Sequence, residues 1–223
     1  MAVPPIVSAT LQSAVLSATS NLIAQVMTSY KTDEPFILDW VPVVQFTIWA
    51  LVNTPYNYLW QDFLEQTFPA YGKPPQEKGD KAKSAKSATG SERKLNVKNT
   101  LTKTLLDQTI GSVVNTFLFA LFVSSLQEAM RRPEQWADPS KSAAYLLSGS
   151  AIDYSRVDWD AIFTRVRREF VPIIVAGWRL WPLVSLVNFA FIKSIQGRNL
   201  VASLAGIGWG VYISLFASRG GDS

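Results

Sequence analysis

The sequence predicts an all-α integral membrane protein: a helical bundle with four to five transmembrane helices and one interfacial amphipathic helix. Charged residues form only 17% of the 223 residues, and they are segregated from long apolar segments. Five segments contain at most one charge: 2–30, 41–61, 108–127, 170–192 and 199–218. The last has 20 uncharged residues, enough to cross a bilayer as a helix at about 1.5 Å per residue. Amphipathic helices of soluble proteins instead carry charges on one face throughout.

Composition limits the chemistry that the chain can carry. Its length fits one domain, residues 1–223. The chain contains no Cys and no His, so thiolate chemistry and the commonest general base and metal ligand are missing. We therefore expect no enzyme activity, no catalytic residues, no cofactor and no metal. The net charge of +4 is small, and it gives no reason to expect a nucleic-acid partner.

A hydroxyl-rich face in the first segment has two interpretations. Ser13, Ser17 and Ser20 gather away from the apolar stripe that Leu11 and Val15 begin. Such a face either packs against other helices or lines a wet path. We favour packing, because small hydroxylated residues are common at helix interfaces in membranes.

Residues 72–94 differ sharply in composition from the rest of the chain. Lys, Ser, Gly and Pro dominate this segment, and it lacks the apolar residues that could anchor it to a core. We predict a disordered linker. A docking or modification site that uses its lysines is the alternative.

The segment 156–170 is predicted to form the interfacial helix. Its apolar side chains share one face: Trp159, Ile162, Phe163, Val166 and Phe170. Arginines lie away from that face, which is typical of a helix in the headgroup plane. Pro172 is then expected to redirect the chain into the membrane, since proline interrupts helical hydrogen bonding.

The region 176–214 is predicted to form a helical hairpin in the membrane. Small residues recur every four positions in its second half, at Ala202, Gly206 and Gly210. This spacing places them on one face, where helix backbones can approach closely in lipid. We expect this face to pack against another helix.

Four polar residues lie in or beside the apolar segments: Asp107, Gln108, Arg179 and Asn188. Ionisable residues at membrane depth are costly unless they pair, reach the headgroups or face water. Two interpretations remain open: hydrogen bonding that fixes helix packing, and a polar lining for a solute path. We expect Arg179 to pair with Asp107 or to face a wet cavity.

Several motifs resemble one known family. They are Trp178-x-x-Trp181-Pro182, Asn188-Phe189, Arg198 and Trp209-x-x-Tyr212 near the C-terminus, with Lys103-x-x-x-Asp107-Gln108 and Ser20-Asn21-Leu22-Ile23-Ala24-Gln25 upstream. This pattern resembles the twenty-two-kilodalton peroxisomal membrane protein family, also called the Mpv-seventeen family, and its fungal members in particular. Ser185, Lys193 and the position of Arg198 depart from the family pattern.

The resemblance implies a location and a function. It implies a multi-pass protein of the peroxisomal membrane, with the mitochondrial inner membrane as the alternative. It also implies a weakly selective, passive pore for small solutes. The alternative is a self-assembling membrane scaffold for organelle biogenesis or sorting. The expected partners are the lipid bilayer, small solutes and other copies of the chain.

Overall fold

The computed structural model describes residues 3–71 and 95–219, with side chains up to Trp209. The predicted linker at 72–94, the surroundings of Gly210 and the side chain of Tyr212 lie outside this description. The predicted all-α fold is confirmed, since the described ranges form helices and no strand longer than an isolated bridge between Tyr71 and Leu95.

Eight α-helices make up the described part of the chain: α1 (Pro5–Thr32), α2 (Trp40–Thr67), α3 (Val97–Leu106), α4 (Ser112–Ala129), α5 (Ser142–Leu147), α6 (Trp159–Gly177), α7 (Trp181–Phe191) and α8 (Ile195–Arg219). A π-helical turn, Asp107–Gly111, joins α3 to α4 without interrupting the helix. Short 3-10 turns occupy Glu134–Trp136, Pro139–Lys141 and Tyr154–Arg156 between α4 and α6.

Two continuous helices are long and apolar enough to cross a membrane, judged over the described residues. They are Pro5–Thr32 and Val97–Ala129. A third span results if α6 and α7, which meet at an angle of 53°, are taken as one bent span. The count of four to five spans stays a prediction, because it also needs α2 and α8.

The predicted turning point at Pro172 is wrong. Helix α6 continues through Pro172 to Gly177, and the chain bends at 178–180 instead. There the backbone N–H of Arg179 donates to the carbonyl of Ala176, and that of Leu180 to Gly177, at 3.2 and 3.0 Å. Pro182 then lies in the first turn of α7, where its missing N–H removes no helical hydrogen bond.

The predicted apolar face of 156–170 divides between protein and surroundings. Ile162 and Val166 are buried against Ala129 of α4. Trp159 and Phe163 remain 45% and 42% exposed. The interfacial position of this helix stays a prediction, but half of its apolar face is used in packing.

The hydroxyl-rich face of α1 contacts α2. Ser13 is buried, and the Ser17 hydroxyl donates to the carbonyl of Phe46 at 2.9 Å. Near the end of α1, Gln25 both donates to the carbonyl of Asp39 and accepts from its N–H, at 2.8 and 2.9 Å. These contacts favour packing as the role of this face.

An apolar cluster closes the end of the bundle at which α2 begins. It contains Val41, Leu126, Met130, Tyr145 and Ala151, all buried. The Tyr145 hydroxyl donates to the carbonyl of Ala151 at 3.1 Å, which satisfies its polar atom inside the core. The polar residues of the candidate site lie toward the opposite end.

Candidate functional site

Helices α2 and α3 run antiparallel, and polar residues of α2 contact polar residues of the partner helix at intervals of four positions. Glu65 of α2 meets Lys103 of α3, with Oε2 and Nζ 2.6 Å apart. The amide of Gln61, four residues before Glu65, donates to Asp107 at 3.3 Å. Asp107 lies four residues after Lys103 on the partner helix. Four residues advance a helix by about 6 Å. The result is two polar layers about one helical turn apart.

The outer layer, called the ion-pair layer below, consists of Glu65, Lys103 and Arg198. Glu65 Oε2 accepts hydrogen bonds from Lys103 Nζ at 2.6 Å and from Arg198 Nη2 at 2.7 Å. Lys103 and Arg198 are only 0% and 2% exposed. Buried charges of this kind require a partner, because their desolvation costs several kcal/mol each. One carboxylate serves both cations.

The ring of Phe189 is the second partner of both cations. Lys103 Nζ lies 4.9 Å and the Arg198 Cζ 5.1 Å from the ring centroid, which are cation–π distances. Arg198 also donates from Nε to the carbonyl of Ile192 at 2.9 Å. The Asn188 amide donates to the Arg198 carbonyl at 3.2 Å. The ion-pair layer therefore fixes the connection between α7 and α8.

The inner layer, called the carboxylate layer below, surrounds Asp107 with neutral donors. Its Oδ1 accepts from Trp60 Nε1 at 3.1 Å and from Gln61 Nε2 at 3.3 Å. Its Oδ2 accepts from the Ser185 hydroxyl at 2.7 Å and from Gln108 Nε2 at 3.3 Å. All the donors in this layer are uncharged, so they hold the carboxylate in place without an ion pair.

A glycine makes room for the tryptophan of the carboxylate layer. A Cβ added at Gly111 would lie 2.6 Å from Trp60 Nε1 and 3.2 Å from Asp107 Oδ1, too close for any side chain. Gly111 ends the π-helical turn that Asp107 begins. Such turns are rare and are often found at functional sites.

Some of the predicted polar residues come together, and one does not. Asp107 and Gln108 belong to the carboxylate layer, while Asn188 contacts the ion-pair layer. Arg179 lies exposed at the bend between α6 and α7. The predicted pairing of Arg179 with Asp107 is wrong. The oxygens of Asp107 accept hydrogen bonds from four other side chains, those of Trp60, Gln61, Ser185 and Gln108.

The residues of the C-terminal motif have different surroundings. Phe189 and Arg198 belong to or contact the ion-pair layer. Trp181 and Trp209 contact each other edge to face, with ring centroids 6.3 Å apart. Trp178 is 53% exposed. The packing role of Ala202, Gly206 and Gly210 stays a prediction, since a Cβ added at Gly206 would meet nothing within 4 Å.

Sequence reasoning missed Glu65, Gln61 and Ser185. Glu65 lies just beyond an uncharged segment and resembles a loop residue, and Ser185 is an ordinary small residue in an apolar run. One signal could have found the first two. The spacing of four from Gln61 to Glu65 equals the spacing from Lys103 to Asp107, as two antiparallel helices in contact require.

Seven buried side-chain atoms of the described helices have no hydrogen-bond partner among the described protein groups. They are Asn53 Oδ1, Gln61 Oε1, Gln108 Oε1, Asn115 Oδ1, Asn188 Oδ1, Arg198 Nη1 and Asn199 Nδ2. Buried polar groups in proteins nearly always bind protein or ordered water. The interior between these helices is therefore polar well beyond the two layers.

Comparison with known proteins finds one matching family model and several relatives. Residues 155–214 match the Mpv17 / PMP22 family. The chain is 26% identical to PXMP2/4 family protein 3 of Dictyostelium discoideum over 215 residues, which cover 96% of this chain and 85% of that protein. It is also 36% identical to Protein SYM1 of Gibberella zeae over 55 residues, covering 25% of this chain and 31% of that protein.

A further relative, PXMP2/4 family protein 1 of Dictyostelium discoideum, is 26% identical over 55 residues, which cover 25% of this chain and 27% of that protein. No solved structure matches the chain. The matched segment 155–214 contains Asn188, Phe189 and Arg198, which join the ion-pair layer to α7 and α8. The chain is a helical membrane protein that is similar to the Mpv17 / PMP22 family over residues 155–214 and to PXMP2/4 family protein 3 over nearly its whole length.

Proposed function

We propose that this protein is a passive, weakly selective pore for small polar solutes in the peroxisomal membrane, and that it has no enzyme activity. The observation that carries the proposal is the buried polar interior between α2, α3, α4, α7 and α8. Polar groups at membrane depth are stable only when protein or water binds them. The seven unpartnered buried atoms are binding positions for water along such a path.

Weak selectivity follows from how the charges are used. Both cations of the ion-pair layer bind Glu65, and both oxygens of Asp107 accept hydrogen bonds from neutral donors. The remaining hydrogen-bonding groups are mainly amides, which donate and accept equally well. A wall of this kind favours polar over apolar solutes and discriminates poorly among polar ones.

The location in the peroxisomal membrane is supported by the C-terminal motif and its resemblance to a peroxisomal family. The mitochondrial inner membrane is the alternative location. Imaging a tagged copy together with peroxisomal and mitochondrial markers separates the two. A tagged copy that coincides with the mitochondrial marker alone would contradict the peroxisomal location.

Solute release from liposomes tests the proposed pore. Purified protein in liposomes should release a small polar dye and retain a folded protein loaded in the same vesicles. Protein-free liposomes are the first control. A second is the variant Leu51→Ala, which changes an exposed side chain of α2 outside the polar layers. Vesicles that stay tight at a confirmed protein content would contradict the pore.

A scaffold is the second candidate function, and one observation favours it. A Cβ added at Gly206 or Gly208 of α8 would meet nothing within 4 Å, so the backbone there is open to another copy of the chain. The scaffold predicts large assemblies in liposomes that remain tight. Gly206→Leu should then reduce the size of the assemblies. If the pore is formed by one chain, the same substitution should leave the particle size unchanged.

A further inference from the structure

The register between α2 and α3–α4 continues beyond the carboxylate layer. Trp49 contacts Phe119 with ring centroids 5.5 Å apart. Twelve residues separate Trp49 from Gln61, and twelve separate Asp107 from Phe119. The two helices therefore keep the same antiparallel match over three further steps of four residues. By this match, Asn53 lies level with Asn115.

Four amide side chains follow this interface: Asn53, Gln61, Gln108 and Asn115, called the amide ladder below. Each has a buried oxygen without a partner among the described protein groups. From Gln61 to Asn53 the ladder extends about 12 Å, eight residues at about 1.5 Å each. Burying an amide without a hydrogen bond costs about 1–3 kcal/mol in proteins, so four unpaired oxygens in a dry interface would be strongly unfavourable.

The ladder has an open end and a closed end. At the open end, the side chain of Glu65 in the ion-pair layer is 29% exposed. At the closed end, Trp49 packs against Phe119 and Phe122, with ring centroids 5.5 and 5.6 Å apart. These three rings are called the aromatic plug below. Phe122 packs against the apolar cluster around Val41, in which the Tyr145 hydroxyl already donates to the carbonyl of Ala151.

We infer that the amide ladder is a water-filled half-path, entered beside the ion-pair layer and closed by the aromatic plug. It admits water and small uncharged solutes that carry hydroxyl or amide groups. The wet half-path stands on the geometry of α2 and α3–α4. Passage of solutes beyond the plug rests on the pore function proposed above.

The class of solute follows from what the ladder leaves unpaired. The carboxylates beside it are already occupied: Glu65 binds two cations, and Asp107 accepts four hydrogen bonds from neutral groups. An ion that passed beyond the two layers to Asn53 and Asn115 would lose its hydration and meet only neutral amides. A hydroxyl or amide group can instead exchange its water for the ladder amides at little cost.

Thiol accessibility tests the half-path, because the chain has no Cys and each introduced Cys is unique. Asn53→Cys in liposomes should react with a small, membrane-impermeant methanethiosulfonate. The matched control is Leu51→Cys, two residues away at nearly the same depth but 42% exposed on the outer face of α2. A thiol in apolar surroundings rarely ionises. Asn53→Cys should therefore react about tenfold faster, the change in thiolate fraction that one pKa unit gives.

Equal, slow reaction of the two thiols would overturn the half-path. Both variants must first match the cysteine-free protein in thermal unfolding and elution volume. Asn115→Cys supplies a second measurement from the opposite helix, if Asn53→Cys fails to fold. Its expected rate is also about tenfold above that of Leu51→Cys.

The plug is tested one turn further along α2. Gln45 is buried beyond Trp49, so Gln45→Cys should be unreactive from the mouth side while the plug is intact. Adding Trp49→Ala should make it reactive, with Trp49→Phe intermediate. The matched control is Phe117→Ala, whose ring contacts Phe170 of α6 instead. No change in reactivity with Trp49→Ala would overturn the plug.

Flux measurements keep this inference distinct from the pore proposal. Trp49→Ala should raise glycerol release from liposomes more than release of a charged dye of similar size. If all vesicles stay tight while Asn53→Cys still reacts, the half-path stands and the pore fails. If vesicles leak while Asn53→Cys is as slow as Leu51→Cys, the pore stands and this half-path is wrong.

Discussion

Glu65 and Lys103 form an ion pair that is open to the surroundings on one side only. The carboxylate is 29% exposed, whereas the ammonium is completely buried. The same carboxylate oxygen binds Arg198 at 2.7 Å. One negative charge at the end of α2 therefore pairs with two buried positive charges, one on α3 and one on α8, and the three side chains together keep a net charge of +1.

Removing that carboxylate should be costly. Glu65→Gln leaves Lys103 and Arg198 buried without an anion, and breaking a buried pair in this way costs about 3–5 kcal/mol. We expect a clearly lower thermal unfolding midpoint in detergent. Adding Lys103→Met should recover part of the loss, because it removes one uncompensated cation.

The matched control for this experiment is Glu169→Gln. Glu169 pairs with Arg168 at 3.3 Å, and both side chains are exposed, so its loss should cost less than about 1 kcal/mol. Equal effects of the two substitutions would show that the ion-pair layer does not hold α2, α3 and α8 together.

Gly111 should not tolerate even one added methyl group. In Gly111→Ala the new Cβ would lie 2.6 Å from Trp60 Nε1, which forces the indole away from Asp107. We expect a loss of about 1–3 kcal/mol, as for other overpacked sites, and altered tryptophan fluorescence. Gly206→Ala is the control, since its Cβ meets nothing within 4 Å. If Gly111→Ala unfolds like the wild type, the close approach of Trp60 is wrong.

At the opposite end of the bundle, two neighbouring arginines should differ in how much they contribute to stability. Arg132 donates to both carboxylate oxygens of Asp39, at 3.3 and 2.6 Å, and both side chains are mostly buried. Arg132→Gln should cost about 1.5–3 kcal/mol, the range for hydrogen bonds to charged groups. Arg131→Gln should cost almost nothing, because Arg131 is 71% exposed in its pair with Glu128. Urea unfolding in mild detergent measures both, and the reverse order of effects would contradict this arrangement.

The segment 72–94 should be dispensable for membrane integration. Its ends are joined by the bridge between Tyr71 and Leu95 and by the bond from the Asn96 N–H to the Ala70 carbonyl at 2.8 Å. Halving a flexible loop changes its closure free energy by only about 0.6 kcal/mol. Replacing residues 73–91 with a short Gly-Ser segment should leave the protein in the membrane after carbonate extraction. Release into the soluble fraction would mean that these residues guide insertion.

The helices were predictable from the sequence because membrane spans exclude charge. The segments 41–61 and 108–127 lie within α2 and the helix formed by α3 and α4. The bend near Arg179 was assigned to the wrong proline, since helix α6 accommodates Pro172 and the chain bends just before Pro182, which lies in the first turn of α7. Both prolines lack the N–H that a helix needs, and the sequence alone does not show which of them a helix will accommodate.

The sequence allowed some polar residues of the candidate site to be predicted, but not the residues that they contact. Asp107 and Asn188 stand out because polar groups are rare in or beside such segments, and Arg198 stands out in the motif that resembles the family. Their partners come from distant parts of the chain, and Arg198 reaches Glu65 across 133 positions. Glu65 also lies beyond an uncharged segment, where a carboxylate has no cost in itself. Only the antiparallel register of α2 and α3 shows that it is buried with two cations.

The bridge between Tyr71 and Leu95 has a practical consequence for the study of this protein. Because it already holds the end of α2 beside the start of α3, a break in the covalent chain between them removes connectivity without removing a contact among the described residues. Two fragments, 1–80 and 81–223, should therefore reassemble when co-expressed. A fluorescent domain inserted at the same place should also report which side of the membrane bears the ion-pair layer.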